Sequence, residues 1–120
     1  MQDYPKAIGP YSAYQMAGGF LYASGQIPLN PQNGEVVSGG IKEQTQRALK
    51  NVEAILKENS LDFGSVVKTA VFLADMNDFG EMNEIYAKFF SAPYPARSAV
   101  AVKGLPKGVL VEIEIIAYKG

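Results

Sequence analysis

The chain has 120 residues, which fits a single domain, because one hydrophobic core usually stays whole up to about 250 residues. Apolar residues make up 48% and charged residues 19%, a composition typical of folded globular proteins and not of disordered chains. Eleven basic and twelve acidic residues give a formal charge of -1, without the cationic excess that attracts nucleic acids or anionic lipids, so we expect neither partner.

The first predicted element is a β-hairpin between Tyr11 and Gln26. Its short, aromatic-rich stretches are split by Gly18-Gly19, a dipeptide that closes tight turns. The next segment, Ile27 to Gly40, is rich in Pro, Asn-Gly and Gly-Gly, which predicts a loop with room for a brief extended piece at Glu35 to Val37.

An amphipathic helix of about eighteen residues is predicted to follow, starting at Ile41. Its apolar positions recur at steps of three and four, and the charged residues between them turn outward. The predicted buried stripe is Ile41, Thr45, Ala48, Val52, Ile55 and Leu56.

A β-branched strand is predicted from Ser65 to Leu73, and its residues are apolar at both parities, so both of its faces should be buried. A second helix follows, with Asp78 and Glu81 spaced as a capping box, and Pro93 and Pro95 end it. Its apolar stripe is Phe79, Met82, Ile85, Tyr86 and Phe89.

Two further strands, Ala96 to Val102 and Val109 to Tyr118, are predicted to form a terminal hairpin. This order of elements indicates an α+β fold in which one sheet carries both helices on one face. The other face has no cover within the chain, so we expect it to be buried against identical subunits in a closed ring.

Arg97 begins an otherwise small and apolar strand, and its planar guanidinium suits a carboxylate held by two parallel hydrogen bonds. The alternative is an ordinary ion pair at a strand end.

Glu112 and Glu114 share one face of the last strand with apolar neighbours, which is unusual for carboxylates. If Val102 paired with Val109, Arg97 would lie opposite Glu114, and Glu112 opposite Ala99; the alternative is a solvated cross-strand salt bridge.

Three more polar residues are candidates for contact with a ligand: Tyr11, Ser24 and Asn83. Tyr11 follows Gly9-Pro10, and Ser24 precedes Gly25, which lets a ligand or backbone approach closely. Residues of these types are more often structural or exposed polar positions, which is the alternative for each of the three. The chain has no Cys and no His, which excludes thiolate chemistry and leaves carboxylates, hydroxyls, Lys, Arg, backbone groups or water for catalysis. No metal-binding, dinucleotide or phosphate-loop motif is present.

Several motifs in a fixed order resemble the RidA family, also called the YjgF/YER057c/UK114 family, over about Ala7 to Tyr118. They are Ile8-Gly9-Pro10-Tyr11, Ser24-Gly25-Gln26-Ile27-Pro28, Asn77-Asp78-Phe79 through Asn83, and Pro95-Ala96-Arg97-Ser98 continuing through Leu105-Pro106-Lys107 to Val111-Glu112-Ile113. The resemblance implies a chorismate-mutase-like single domain over residues 1–120, and a homotrimer in which the uncovered sheet faces form a central barrel and ligand clefts lie between subunits.

The longest uninterrupted apolar run, Ala70 to Ala74, is too short for a membrane span or a secretory signal, so we expect a cytoplasmic protein. The resemblance also implies an activity without a cofactor or metal: hydrolysis of 2-aminoacrylate, 2-iminopropanoate or 2-iminobutanoate to 2-oxo acids and ammonia. It assigns the substrate carboxylate to Arg97 and the attacking water to Glu112. The cleft lining that it implies is Tyr11, Ser24, Asn83 and Ala99. Many relatives have Cys at the position of Ala99, so thiol-dependent behaviour does not transfer to this chain.

Two other classes of function stay open at this point. One is a regulator that binds a small carboxylate in the same cleft without turnover, for which Arg97 would suffice and Glu112 would not be needed. The other is a scaffold or chaperone-like trimer, which would have no defined ligand and no use for Arg97.

Overall fold

Five strands form one mixed β-sheet, and two α-helices supply the buried residues that pack against one of its faces. This architecture comes from a computed structural model that describes residues 2–120. The elements are β1 (Tyr14–Ala17), β2 (Phe20–Ala23), α1 (Ile41–Glu58), β3 (Val66–Leu73), α2 (Phe79–Phe89), β4 (Ala96–Ala101) and β5 (Val111–Tyr118). The α+β class predicted from the sequence is confirmed, with strand order β1-β2-β5-β3-β4.

The predicted N-terminal hairpin and first helix are both present. β1 and β2 pair antiparallel around Gly18 and Gly19, whose φ angles of 57° and 84° are ones that glycine adopts readily. The following loop contains a single bridge between Leu29 and Val36, where the sequence predicted a brief extended piece. α1 spans 18 residues, as predicted.

The predicted terminal hairpin of β4 and β5 is wrong, because β3 lies between these two strands. β4 pairs parallel with β3, and β5 pairs antiparallel with the opposite edge of β3. Sequential strands are neighbours in roughly two-thirds of cases, which made a hairpin the default expectation. The doubly apolar sequence of β3 suits its place between two other strands, and the cross-strand pairs predicted for Arg97 and Glu112 do not form.

β3 buries only one of its faces within a single chain. Thr69, Val71 and Leu73 are fully buried on the helix side, whereas Ala70 and Phe72 are only half-buried on the other side. The two-sided burial predicted for this strand is therefore not reached by one chain. The uncovered side is called the open face below.

The capping box predicted for α2 is also wrong. Asp78 forms no side-chain cap; a short 3₁₀ turn, Met76–Asp78, precedes the helix, and Oδ1 of Asp75 accepts from the backbone N–H of Asn77 at 2.8 Å. The extra turn moves the capping carboxylate three residues toward the N-terminus. Within residues 2–120, no helix is both long and apolar enough to cross a membrane.

Asn51 fastens the loop before α1 to that helix. It is fully buried, and its Nδ2 donates to the carbonyl oxygens of Ile27 at 3.2 Å and Leu29 at 3.0 Å. Its Oδ1 accepts from Nη2 of Arg47 at 2.9 Å. One amide thus holds the loop that carries Gln26 to Asn30 beside the sheet.

We expect Asn51→Leu to lower the free energy of unfolding by about 1 to 3 kcal/mol, because it leaves two carbonyls and a guanidinium without their buried partner. Urea denaturation at one fixed protein concentration measures this change. The control is Gln46→Ala on the exposed side of the same helix, which should change stability by less than about 0.5 kcal/mol. Equal midpoints for both variants would contradict the role assigned to Asn51.

Candidate functional site

Arg97 lies at the start of edge strand β4, and its guanidinium is held by neutral groups of α2. Nη1 donates to Oδ1 of Asn83 at 2.7 Å. The guanidinium carbon lies 4.7 Å from the ring centroid of Tyr86 and 5.4 Å from that of Phe79, both cation–π contacts. Within residues 2–120 no carboxylate forms an ion pair with Arg97, so the alternative of a strand-end ion pair within the chain is wrong.

Phe79 and Tyr86, which the sequence pattern indicated only as core positions of the helix, also contact the Arg97 guanidinium. Their spacing with Asn83, at steps of four and three, puts all three on one side of α2. A buried hydrogen bond of 2.9 Å between the hydroxyl groups of Tyr86 and Thr69 holds the Tyr86 ring in place.

Glu112 lies on the open face of the sheet, in the wall of a cavity of about 1130 Å³. Burial raises the pKa of its carboxyl group, and the nearby charge of Glu114 raises the pKa further. Tyr11 and Ser24 line the same cavity. Oγ of Ser24 donates to the backbone carbonyl of Ser12 at 2.6 Å, so its hydroxyl has only acceptor capacity left for a ligand.

Gly25 allows the Glu112 carboxylate to lie directly against the backbone. A Cβ at position 25 would overlap with Oε2 of Glu112 and would lie 2.8 Å from its Cδ and 2.9 Å from its Cγ. The sequence predicted a close approach at this glycine but not which group approaches. The structure identifies the group as the Glu112 side chain.

The six predicted site residues form two groups on opposite faces of the sheet. Arg97 is paired with Thr69, on the helix side, while Glu112 is paired with Phe72, on the open face. Ala99 is on the same side as Arg97, two residues along β4. The first group therefore comprises Arg97, Asn83 and Ala99, and the second comprises Glu112, Tyr11 and Ser24.

A single chain therefore does not bring Arg97 and Glu112 together, and the side-by-side arrangement predicted from the hairpin is wrong. The reason is the place of β3, which puts an entire strand between them. Among residues 2–120, no group of three His, Cys, Asp or Glu side chains could hold a metal ion.

We expect Gly25→Ala to push the Glu112 side chain away from the backbone and toward solvent, which lowers the pKa of its carboxyl group toward the ordinary value. Titration of the Glu112 carboxyl carbon by NMR measures this shift. The matched control is Gly80→Ala in α2, where an added Cβ has no neighbour within 4 Å and the titration should not change. An unaltered Glu112 titration in Gly25→Ala would contradict this account.

Comparisons with known proteins find relatives that match nearly the whole length of the chain. A family profile described as Endoribonuclease L-PSP matches residues 1–119. A Lactococcus lactis protein that bears the name of a proposed regulator, AldR, is 57% identical over 115 residues, which cover 96% of this chain and 91% of that protein. The human protein named 2-iminobutanoate/2-iminopropanoate deaminase is 50% identical over 116 residues, which cover 97% of this chain and 85% of that protein.

The fold of the chain also closely matches that of solved structures. The crystal structure of TdcF from E. coli, determined with bound serine, matches with a TM-score of 0.94 and 43% sequence identity. That match covers 100% of this chain and 96% of TdcF.

Proposed function

Because the chain belongs to the RidA family, to which the Endoribonuclease L-PSP profile assigns it, we propose that it is an enamine/imine deaminase. Its substrates are 2-aminoacrylate, 2-iminopropanoate and 2-iminobutanoate, which it hydrolyses to 2-oxo acids and ammonia. The name of the human relative supports this reaction. The single observation that carries the proposal is the Arg97 guanidinium, which is positioned by Asn83 and Tyr86 and has no carboxylate partner within residues 2–120.

The active unit in this proposal is a homotrimer with a ligand cleft between neighbouring subunits. The two groups of site residues lie on opposite faces of the sheet, so Arg97 of one copy must meet the Glu112 cavity of another. The open face also has the apolar character of an interface. Its side chains include Tyr22, Phe72, Val100, Ile116 and Tyr118.

The chemistry needs positioning more than a strong nucleophile. Arg97 binds the substrate carboxylate through its planar fork, and 2-aminoacrylate takes a proton from solvent at its CH₂ carbon to give the iminium. Ionised Glu112 takes a proton from water as the water oxygen bonds to the iminium carbon, and the C=N π electrons become the lone pair of the amino nitrogen in a carbinolamine. Glu112 passes this proton to the amino nitrogen, and the C–N bond breaks with release of ammonia. The hydroxyl oxygen then forms the C=O bond of the 2-oxo acid, and its proton returns through Glu112 to solvent. A positioned acid-base group contributes about 10² to 10⁴ in rate.

A second candidate is a regulator that binds a small carboxylate in the same cleft without turnover, which the name of the Lactococcus lactis relative favours. Arg97 serves both functions, whereas a half-buried carboxylate with a raised pKa is needed only by the hydrolase. The ribonuclease in the family description is not favoured here, because a net charge of -1 and the lack of His suit neither RNA binding nor its cleavage. A cytoplasmic location and the lack of a cofactor or a membrane partner stay predictions.

We expect the wild-type protein to accelerate pyruvate and ammonia release from 2-aminoacrylate generated in situ from serine by a dehydratase. Arg97→Ala should nearly abolish the acceleration, because the substrate carboxylate loses its partner. Glu112→Gln, which keeps the shape of the side chain but not its basicity, should reduce the rate by about 10² or more. Lys88→Ala, on the exposed side of α2, is a control that should match wild type.

The regulator replaces the deaminase if wild type and both site variants give the uncatalysed rate while 2-oxobutanoate still binds in an Arg97-dependent manner. Isothermal titration calorimetry with 2-oxobutanoate provides that binding measurement.

We expect light scattering to give three times the 13.0 kDa chain mass, because the family resemblance implies a homotrimer and Arg97 and Glu112 can share a cleft only between copies. Val100→Lys, on the open face of edge strand β4, should shift the protein toward monomer and reduce its activity in proportion. The control is Lys88→Ala, which should keep the wild-type mass. A monomeric wild type at micromolar concentration would contradict the intersubunit cleft.

We expect kcat/KM to fall as the pH drops through the raised pKa of Glu112, because only the ionised carboxylate takes a proton from water. Glu114→Gln removes a negative charge that raises this pKa, so the acid limb of the profile should move to lower pH. Glu84→Gln, on α2 beside Lys42, should leave the acid limb in place. An identical acid limb for Glu114→Gln and wild type would exclude Glu114 as a cause.

A further inference from the structure

Part of the cavity wall beside Glu112 is an irregular segment, residues 5–11, called the N-terminal strap below. Pro5, Ala7, Ile8 and Tyr11 of this strap line the cavity. Within residues 2–120, no hydrogen bond joins residues 5–10 to a helix or a strand. The strap therefore depends on the residues at its two ends for its position.

The C-terminal end of the strap is attached to the sheet through Ser24. Its Oγ donates to the carbonyl of Ser12, and its backbone N–H donates to the carbonyl of Ala13 at 2.9 Å. The N-terminal end is attached through Tyr4, which is only 7% exposed. The Tyr4 hydroxyl donates to Oε2 of Glu58 at 2.8 Å.

Glu58 also accepts a hydrogen bond from Tyr14, at 2.6 Å and on the same Oε2. The rings of Tyr4 and Tyr14 meet edge to face with centroids 6.5 Å apart. Hydrogen bonds from Tyr14 and Tyr4 lower the pKa of the Glu58 carboxyl group. Burial, and then the hydrogen bond to Glu58, raise the pKa of the Tyr4 hydroxyl to about 12. Glu58 stays ionised and Tyr4 stays a donor near neutral pH.

The place of Glu58 in the helix argues that its role is tertiary. It is the last residue of α1, where the aligned peptide dipoles disfavour a negative charge. A carboxylate here is therefore not explained by the stability of the helix itself. The two tyrosine hydroxyls, one from the end of the strap and one from β1, provide the compensating contacts.

We propose that Glu58 is a positioning residue for the ligand cavity: through Tyr4 it fixes the N-terminal strap, and with it Tyr11, against the cavity that contains Glu112. The identity of the ligand, an imino acid, rests on the proposed function, but the attachment of the strap does not. Glu58 touches neither the cavity nor the reacting atoms, so its effect is on binding and not on the chemical step.

We expect Glu58→Ala to raise KM by about 2- to 10-fold, because one or two hydrogen bonds are lost, while kcat changes by less than about 2-fold. Trypsin should also release residues 1–6 faster, because Lys6 is an exposed residue of the freed strap. Glu58→Gln keeps a carbonyl acceptor and should recover part of both effects. Glu53→Ala, on the same helix and paired with Lys50, is the matched control.

Wild-type KM and wild-type trypsin cleavage in Glu58→Ala would overturn the proposal, as would a fall in kcat alone. If Glu58→Ala does not fold, Tyr4→Phe keeps the buried ring, removes only the hydroxyl and should give the same two effects. If wild type shows no deaminase activity, the proposed function fails, whereas the rate of trypsin cleavage after Lys6 still tests the strap.

Discussion

The place of β3 between β4 and β5 is the constraint on which the rest of this molecule depends. Because β3 pairs with β4 on one edge and β5 on the other, it joins edge strand β4 to the rest of the sheet and separates Arg97 from Glu112. The same strand packs against the helices through only one face. A core that is complete on one side thus coexists with two groups of candidate site residues that one chain does not bring together.

The two groups of site residues are held in different ways, and each way suits its proposed role. Arg97 is supported by an amide oxygen and two aromatic rings, so its positive charge is not neutralised within residues 2–120. Glu112 is supported by the lack of a side chain at Gly25 and by a half-buried environment that favours its protonated form. The first arrangement preserves a binding charge, and the second preserves a basic oxygen.

Much of this structure follows from local sequence signals. The Gly18-Gly19 turn and the stripe of α1 were correctly predicted because their determinants lie within a few residues of each other. The pairing of β4 and β5 was not, since strand order depends on contacts between distant segments that no short window contains. The positions of Phe79 and Tyr86 under Arg97 were missed for the same reason: aromatic residues in a helical stripe look alike whether they pack in a core or beneath a cation.

The division of the site between two faces has a consequence for mixed populations of chains. In the proposed homotrimer, each cleft contains Arg97 of one subunit and Glu112 of the neighbouring subunit. A subunit without a functional Arg97 would inactivate only the one cleft to which it contributes this residue, and the other two clefts would stay active. An inactive allele would then be recessive, and two alleles with different lesions could complement each other within one assembly.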